Sequence, residues 1–299
     1  MEFPHSSILR MAAMAICWIA GALPAHAEVT VVDDTGAQVR LAAPARRIVS
    51  LAPHITEVLF AAGAGERIVG TVEYSDYPDA AKRIPRVGGF SRLDLEAVAA
   101  LKPDLVIAWQ SGNPQASIAK LRALGVPVFM NQPDRIPDIA RSIEQFGQLA
   151  GTSAVADGAA AAFRQRYANL SARYSNRPKL RVFYEIWKEP LMTINGKQII
   201  SDAIRLCGGE NVFADLPVLA PKVSVEAVLA ANPEVIVASG MGESRPEWLD
   251  DWRRWPGLAA AAKGNLYFVP PELIQRHTPR VLDGAERMCR DFEEARAKR

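Results

Sequence analysis

Short runs of aliphatic and β-branched residues recur along the chain, and most are followed by a stretch with helical spacing. Residues 47–52 form such a run, and residues 55–62 then read as a helix stopped by Gly63. Residues 68–72, 128–130, 182–186 and 266–269 read as further strands. Runs this short and this uniformly apolar predict strands buried on both faces, the pattern of mainly parallel sheets layered with helices. One segment occurs twice. Leu95-Glu96-Ala97-Val98-Ala99-Ala100-Leu101-Lys102-Pro103-Asp104-Leu105-Val106-Ile107-Ala108 is echoed by Val225-Glu226-Ala227-Val228-Leu229-Ala230-Ala231-Asn232-Pro233-Glu234-Val235-Ile236-Val237-Ala238, with six of fourteen positions identical. Each copy opens on an N-cap residue, Asp94 or Ser224, runs through a short helix to a proline, and ends in a buried strand. A weaker echo pairs Gly65-Glu66-Arg67-Ile68-Val69 with Gly209-Glu210-Asn211-Val212-Phe213. Two echoes in one order predict two α/β lobes of similar build. Between them, residues 154–174 are rich in Ala, Arg and Gln with no proline, which predicts one long helix joining the lobes. A single doubly wound domain is the alternative arrangement.

The first residues follow a different pattern. A short segment carrying Arg10 precedes an apolar run of about 13 residues, well under the roughly 20 that a spanning helix requires. Pro24 and then Ala25-His26-Ala27 follow. This is the layout of a secretory signal peptide cleaved after Ala27. The expected organisation is therefore a signal peptide over 1–27, an N-terminal α/β lobe over 28–150, a connecting helix over 151–178 and a C-terminal α/β lobe over 179–299. Export makes Cys207 and Cys289 an even pair in an oxidising compartment, either joined as a disulfide or present as two buried thiols. Neither has the spacing of a zinc or redox site.

Composition adds exclusions. The 299 residues carry 35 Lys+Arg against 33 Asp+Glu, a formal net charge of +2. No basic stripe is present, so nucleic acid is not an expected partner. Aromatics make up only 7% of the chain, so their positions carry information. Tyr74, Trp109 and Trp187 each follow a predicted strand, and Phe90 follows Gly88-Gly89 in a loop. Ligands of open α/β sheets lie beyond the carboxyl ends of strands. One such ring is commonly a packing residue, but four at strand ends of two lobes suggest a flat, apolar ligand held by stacking. His54, at a strand-to-helix turn, and His277, before the last helix, could ligate a metal centre or act as bases. However, no G-x-S-x-G elbow and no H-E-x-x-H motif accompany them. Gly63-Ala64-Gly65 follows a helix and reads as a helix stop, not a phosphate cradle. Glu96 and Glu226 take the second position of matched helices, where a carboxylate favours the positive helix end. Their equivalence also suits them to docking on a symmetric, basic partner.

These residues carry a resemblance. Arg47-Ile48-Val49-Ser50-Leu51-Ala52-Pro53, Tyr74-Ser75-Asp76-Tyr77-Pro78, Leu101-Lys102-Pro103-Asp104-Leu105-Val106-Ile107-Ala108-Trp109, Cys207-Gly208-Gly209-Glu210-Asn211-Val212-Phe213 and Thr278-Pro279-Arg280 are similar to segments of the periplasmic substrate-binding proteins of metal-chelate ABC importers, over residues 45–295. Within that family the Tyr-Ser-Asp-Tyr-Pro segment, the Ala-Trp strand end and the paired cysteines point to the cobalamin binders. The resemblance implies two Rossmann-like lobes on a helical backbone, a monomer without catalytic activity or a resident cofactor or metal, and cobalamin as the transported ligand. It implies ligand contacts from Tyr74, Phe90, Trp109 and Arg276, docking on the permease subunits of an ABC importer by Glu96 and Glu226, and a Cys207–Cys289 disulfide; Trp187 and His54 join the expected ligand contacts on their positions alone. Leu191, Ala220, Leu273 and Ile274 stand where bulky aromatics are usual, so stacking area is reduced. Haem or a ferric siderophore is the second reading of the ligand, and a secreted hydrolase the distant one.

Overall fold

The computed structural model describes residues 28–240 and 244–299; the expected signal peptide lies outside the described residues. The chain opens with a hairpin, β1 (Val29–Val32) and β2 (Gln38–Leu41), that the hydrophobic pattern did not signal. Its turn is built by Asp33, whose Oδ1 accepts hydrogen bonds from Thr35 N, Thr35 Oγ1 and Ala37 N. The first large unit then runs β3 (Ile48–Ser50), α1 (Pro53–Ala61), β4 (Ile68–Thr71), a small ribbon of β5 (Gly88–Gly89) and β6 (Arg92–Leu93), α2 (Leu95–Ala100), β7 (Leu105–Trp109), α3 (Gln115–Ala123), β8 (Val128–Asn131) and α4 (Asp138–Ala150). The long helix α5 (Ser153–Tyr174) follows. The second unit runs β9 (Leu180–Glu185), α6 (Ile199–Leu206), β10 (Gly209–Asn211), α7 (Val225–Ala231), β11 (Val235–Ala238), α8 (Ala259–Ala262), β12 (Leu266–Phe268), α9 (Pro271–Ile274) and α10 (Val281–Ala297).

The two four-stranded sheets have the same topology. One is ordered β4-β3-β7-β8 and the other β10-β9-β11-β12, all parallel, so the second strand of each unit flanks the first and the third lies on its other side. The long sequence echo maps onto equivalent elements, α2–β7 and α7–β11. In both, the predicted cap forms: Asp94 Oδ1 accepts from Ala97 N at 2.9 Å, and Ser224 Oγ from Ala227 N at 3.1 Å. The shorter echo is looser, because β10 begins on Gly209 whereas β4 begins only at Ile68, after a turn of 3-10 helix at Gly65–Arg67.

Alternation along each strand sorts the core. Ile48, Leu105, Ile107 and Phe129 face inward with Val182, Tyr184, Val235 and Val237, in one apolar cluster that also takes in α4, α5, α6 and α10. The opposite faces, Val49, Val106, Ala108 and Met130 on one sheet and Phe183, Ile236 and Ala238 on the other, pack into separate outer clusters. The lobes are thus joined through a continuous interior, not only through a connecting segment. Helix α5 is about 33 Å long at 1.5 Å per residue. It lies so close to α4 that a Cβ on Gly147 would come 2.2 Å from the Cβ of Ala156. In the second lobe, Cys207 at the end of α6 and Cys289 on α10 form a disulfide, and both are fully buried.

Candidate functional site

Within each sheet the parallel strands end on one side, and segments of the two lobes meet at His54 with His277 and at Glu57 and Asp76 with Arg276. On the first lobe, a buried hydroxyl chain sets the entry loops: Ser50 Oγ to Thr56 Oγ1 at 2.8 Å, and Thr56 Oγ1 to Thr71 Oγ1 at 2.6 Å. It locks the start of α1 to the end of β4. Beyond β4, Tyr74 takes a left-handed backbone (φ 63°) between buried Val72 and buried Ser75, which leaves its ring 69% exposed. Asn113 organises the neighbouring loops. Its Oδ1 accepts from Trp109 N at 2.6 Å, while its Nδ2 donates to Leu51 O at 2.9 Å and Phe90 O at 2.7 Å. Three chain segments are thereby fixed by one buried amide. Gly112 completes the seat of the indole, since any Cβ there would lie 1.8 Å from the Trp109 ring.

The result is a ring cluster. Phe90 and Trp109 have centroids 6.0 Å apart, His54 meets Trp109 edge-on at 5.3 Å, and His277, arriving from the second lobe, lies 5.5 Å from His54 and 6.3 Å from Trp109. Burial, together with the neighbouring His277 and Arg276, drives the His54 pKa well below its usual value, with Asn131 opposing the shift. Burial lowers His277 to about 4, against a small opposing pull from Asp134. Both imidazoles are therefore neutral at neutral pH. The Nε1 of Trp109 and the Nε2 of His54 are buried without hydrogen-bond partners.

Arg276 is positioned by charge. Its Nη1 donates to Glu57 Oε1 at 3.0 Å and to Asp76 Oδ1 at 2.8 Å. Arg280 forks onto the same Glu57 carboxylate, Nε to Oε2 at 2.9 Å and Nη2 to Oε1 at 2.8 Å, and its guanidinium lies 3.8 Å above the Tyr77 ring. Glu57 is on α1 and the two arginines immediately precede α10, so this ion-pair cluster bridges the lobes. Glu57, Asp76, Tyr77 and Arg280 had not been singled out individually. Glu57 had a signal, a carboxylate on the otherwise apolar face of α1 beside Ile55, Val58 and Leu59.

The remaining candidates separate. Trp187, at the end of β9, is 37% exposed, lies outside the ring cluster and donates its indole N–H to Glu189 O at 2.8 Å. Glu96 and Glu226 are both exposed, and the first four positions of their helices share one burial pattern. Ile274 is fully buried in the core, so it lines no cleft, whereas Ala220 is exposed. The second lobe also holds a buried polar group that the sequence did not flag. Glu185 accepts from Trp252 Nε1 at 2.7 Å, and Gln275 Nε2 donates to Ser239 Oγ at 2.5 Å. Two hollows of about 250 and 300 Å³ lie elsewhere, one against β10 and one between β2 and β8. Among the described residues no cluster of three metal-ligating side chains occurs, and no helix is long and apolar enough to cross a membrane.

Residues 48–273 match the family described as periplasmic binding proteins. The chain belongs to this family. A vitamin B12-binding protein of Vibrio parahaemolyticus is 38% identical over 259 residues, covering 86% of this chain and 92% of the relative. One from Yersinia pestis is 36% identical over 248 residues, covering 83% and 86%. Among solved structures, the periplasmic vitamin B12 binding protein BtuF of Vibrio cholerae superposes with a TM-score of 0.78 at 37% identity, covering 85% of this chain and 98% of that one. The apo form of the periplasmic haem-binding protein RhuT of Roseiflexus gives 0.72 at 26% identity, covering 84% and 98%. Family membership agrees with the build described above: two like parallel sheets, a long backbone helix, and ligand-accessible loops at the strand ends.

Proposed function

We propose that this periplasmic binding protein captures cobalamin between its lobes and hands it to an ABC importer, without catalysing a reaction. The observation that carries the reading is the ring cluster of Phe90, Trp109 and neutral His54 and His277 where the two lobes meet, in a chain 38% identical to a vitamin B12-binding protein. Flat apolar faces with few free charges suit a corrin ring. Tyr74 on the first lobe and Trp187 on the second are exposed and would contact the guest, with Leu191 and Ala220 offering less stacking area than rings would. His54, behind Trp109 and His277, would act as backing for the wall. In this reading the lobes span 28–150 and 179–299, the segment 1–27 is removed on export after Ala27, and the mature protein works as a periplasmic monomer. Calorimetric titration with cyanocobalamin, cobinamide and haem tests the assignment. One-to-one binding of cyanocobalamin, tighter than haem, is expected; binding of haem alone overturns it.

Haem is the second reading, favoured by one observation: the His277 imidazole in the ring cluster is neutral, as an axial ligand to iron must be. A haem-loaded protein would emerge from purification with a porphyrin absorption band.

Glu96 and Glu226 are proposed to dock on basic pockets of the permease. Both are exposed at the first turn of matched, side-chain-capped helices, where the carboxylate is also stabilised by the helix end. Reversing both charges to lysine is expected to abolish ligand delivery to reconstituted importer while leaving the affinity for cyanocobalamin within about twofold, since both carboxylates are exposed and neither joins the ring cluster. Equal loss of binding and delivery would remove the docking role.

A further inference from the structure

Arg276 and Arg280 are the guanidinium groups that the second lobe brings to the ring cluster, and both are already answered by carboxylates of the first lobe. Glu57, with its side chain only 3% exposed, takes both arginines, and Asp76 takes Arg276 from the solvent side. Two positive and two negative charges are thus closed into a neutral group. Nearby charges are mixed: Glu73 approaches Gly89 beside the Phe90 loop and Asp134 acts electrostatically on His277, while Arg86 donates to Ser75 O at 2.9 Å next to Asp76. Burial works against the Asp76 carboxylate, but the hydrogen bond and charge of Arg276 outweigh it and hold its pKa below the usual range, so the pairing persists at neutral pH. Both contacts of Arg276 use Nη1, and the two carboxylates cancel its charge, so it attracts an incoming anion far less than an unanswered guanidinium would.

We infer that Asp76, with Glu57 behind it, is a specificity-determining residue: by occupying Arg276 it makes the cleft select tetrapyrrole-like guests with uncharged amide rims over those carrying ionised carboxylates. The inference rests on the proposed function and names how that site discriminates. Haem presents two propionates on one edge, whereas the corrin periphery bears mainly amides. A cleft that stacks flat rings needs a polar device to tell the two apart, since ring faces alone give weak discrimination. Here the device is an arginine whose charge is cancelled from within the protein.

The variant Asp76→Asn keeps size and polarity at an exposed position and leaves Glu57 to hold the lobes, so folding is preserved. Purified wild type and variant are titrated with haem, haem dimethyl ester and cyanocobalamin. Freeing part of the Arg276 charge is expected to tighten haem about five- to tenfold, while the ester and cyanocobalamin change less than about twofold. Asp76→Glu restores discrimination, and Glu57→Gln, checked for folding by circular dichroism, shifts haem in the same direction as Asp76→Asn. Haem affinity that is unchanged or unmeasurable in Asp76→Asn, or an equal gain for the ester, overturns the inference. Failure of wild type to bind cyanocobalamin would overturn the proposed ligand instead, and the haem-against-ester comparison would still decide the charge role.

Discussion

Glu185 ends the second strand from the edge of its sheet, is 2% exposed, and among the described residues its carboxylate has one hydrogen-bond donor, the indole of Trp252. Burial outweighs that bond and the charge of Lys188, and raises its pKa to about 7. The folded protein therefore holds a proton that the unfolded chain releases near pH 4.5, so stability rises as pH falls from 7 to 4.5 and is lost above 7. The full span corresponds to about 3 kcal/mol. Glu185→Gln keeps an acceptor for Trp252 and removes the ionisation. Its melting temperature should exceed wild type at pH 8, and the difference should vanish near pH 4.5; equal curves at both pH values would contradict the burial argument. His277 works in the opposite sense, because its folded pKa near 4 lies below the ordinary 6.5 and acidification through that window favours the unfolded chain. At this scale the sequence was partly legible. Trp109 could be placed at a strand end, because strand termini are set by local apolar runs, and Phe90 by the Gly88-Gly89 pair before it. The partners of Arg276 could not, since Glu57 lies more than 200 positions away and only the closed fold brings them together.

Elements were read most reliably where local chemistry fixes their ends. Asp94 and Ser224 start their helices, and a proline two or three residues past each helix end prevents continuation; α5 was legible from composition alone. The hairpin β1–β2 was missed because its strands are short and half exposed, so no apolar run marks them. Helix packing was also invisible: Gly147 had no signal, yet it sets the approach of α4 to α5. Gly147→Ala should destabilise the protein by about 1–3 kcal/mol in urea unfolding, despite the better helix propensity of alanine, through overlap with Ala156. Ala156→Gly in the same chain should recover part of that loss. A neutral or stabilising Gly147→Ala would show that the helices can separate without cost.

For the molecule as a whole, the sequence repeat announced two like halves, and the two sheets have identical strand order. The continuous core beneath α5 was not announced, because inward and outward faces of fully apolar strands look alike in sequence. That core gives the lobes a fixed relationship, reinforced by the Glu57 ion pairs. Stability of the second lobe depends further on Cys207–Cys289, which closes a loop of 82 residues between α6 and α10. Replacing both cysteines with serine should cost about 2–5 kcal/mol in thermal or urea unfolding. Wild type in reductant should approach the same value, and no change in either would contradict the assigned role.

The same bond dictates how the protein must be made. Translated in a thiol-rich cytosol, the chain would reach its native topology without the α6–α10 tie, and the slackened half is the one that supplies Arg276 and His277 to the ring cluster. Affinities measured on such a preparation, or in buffers carrying dithiothreitol, would describe a looser binder than the one that meets its guest outside the inner membrane.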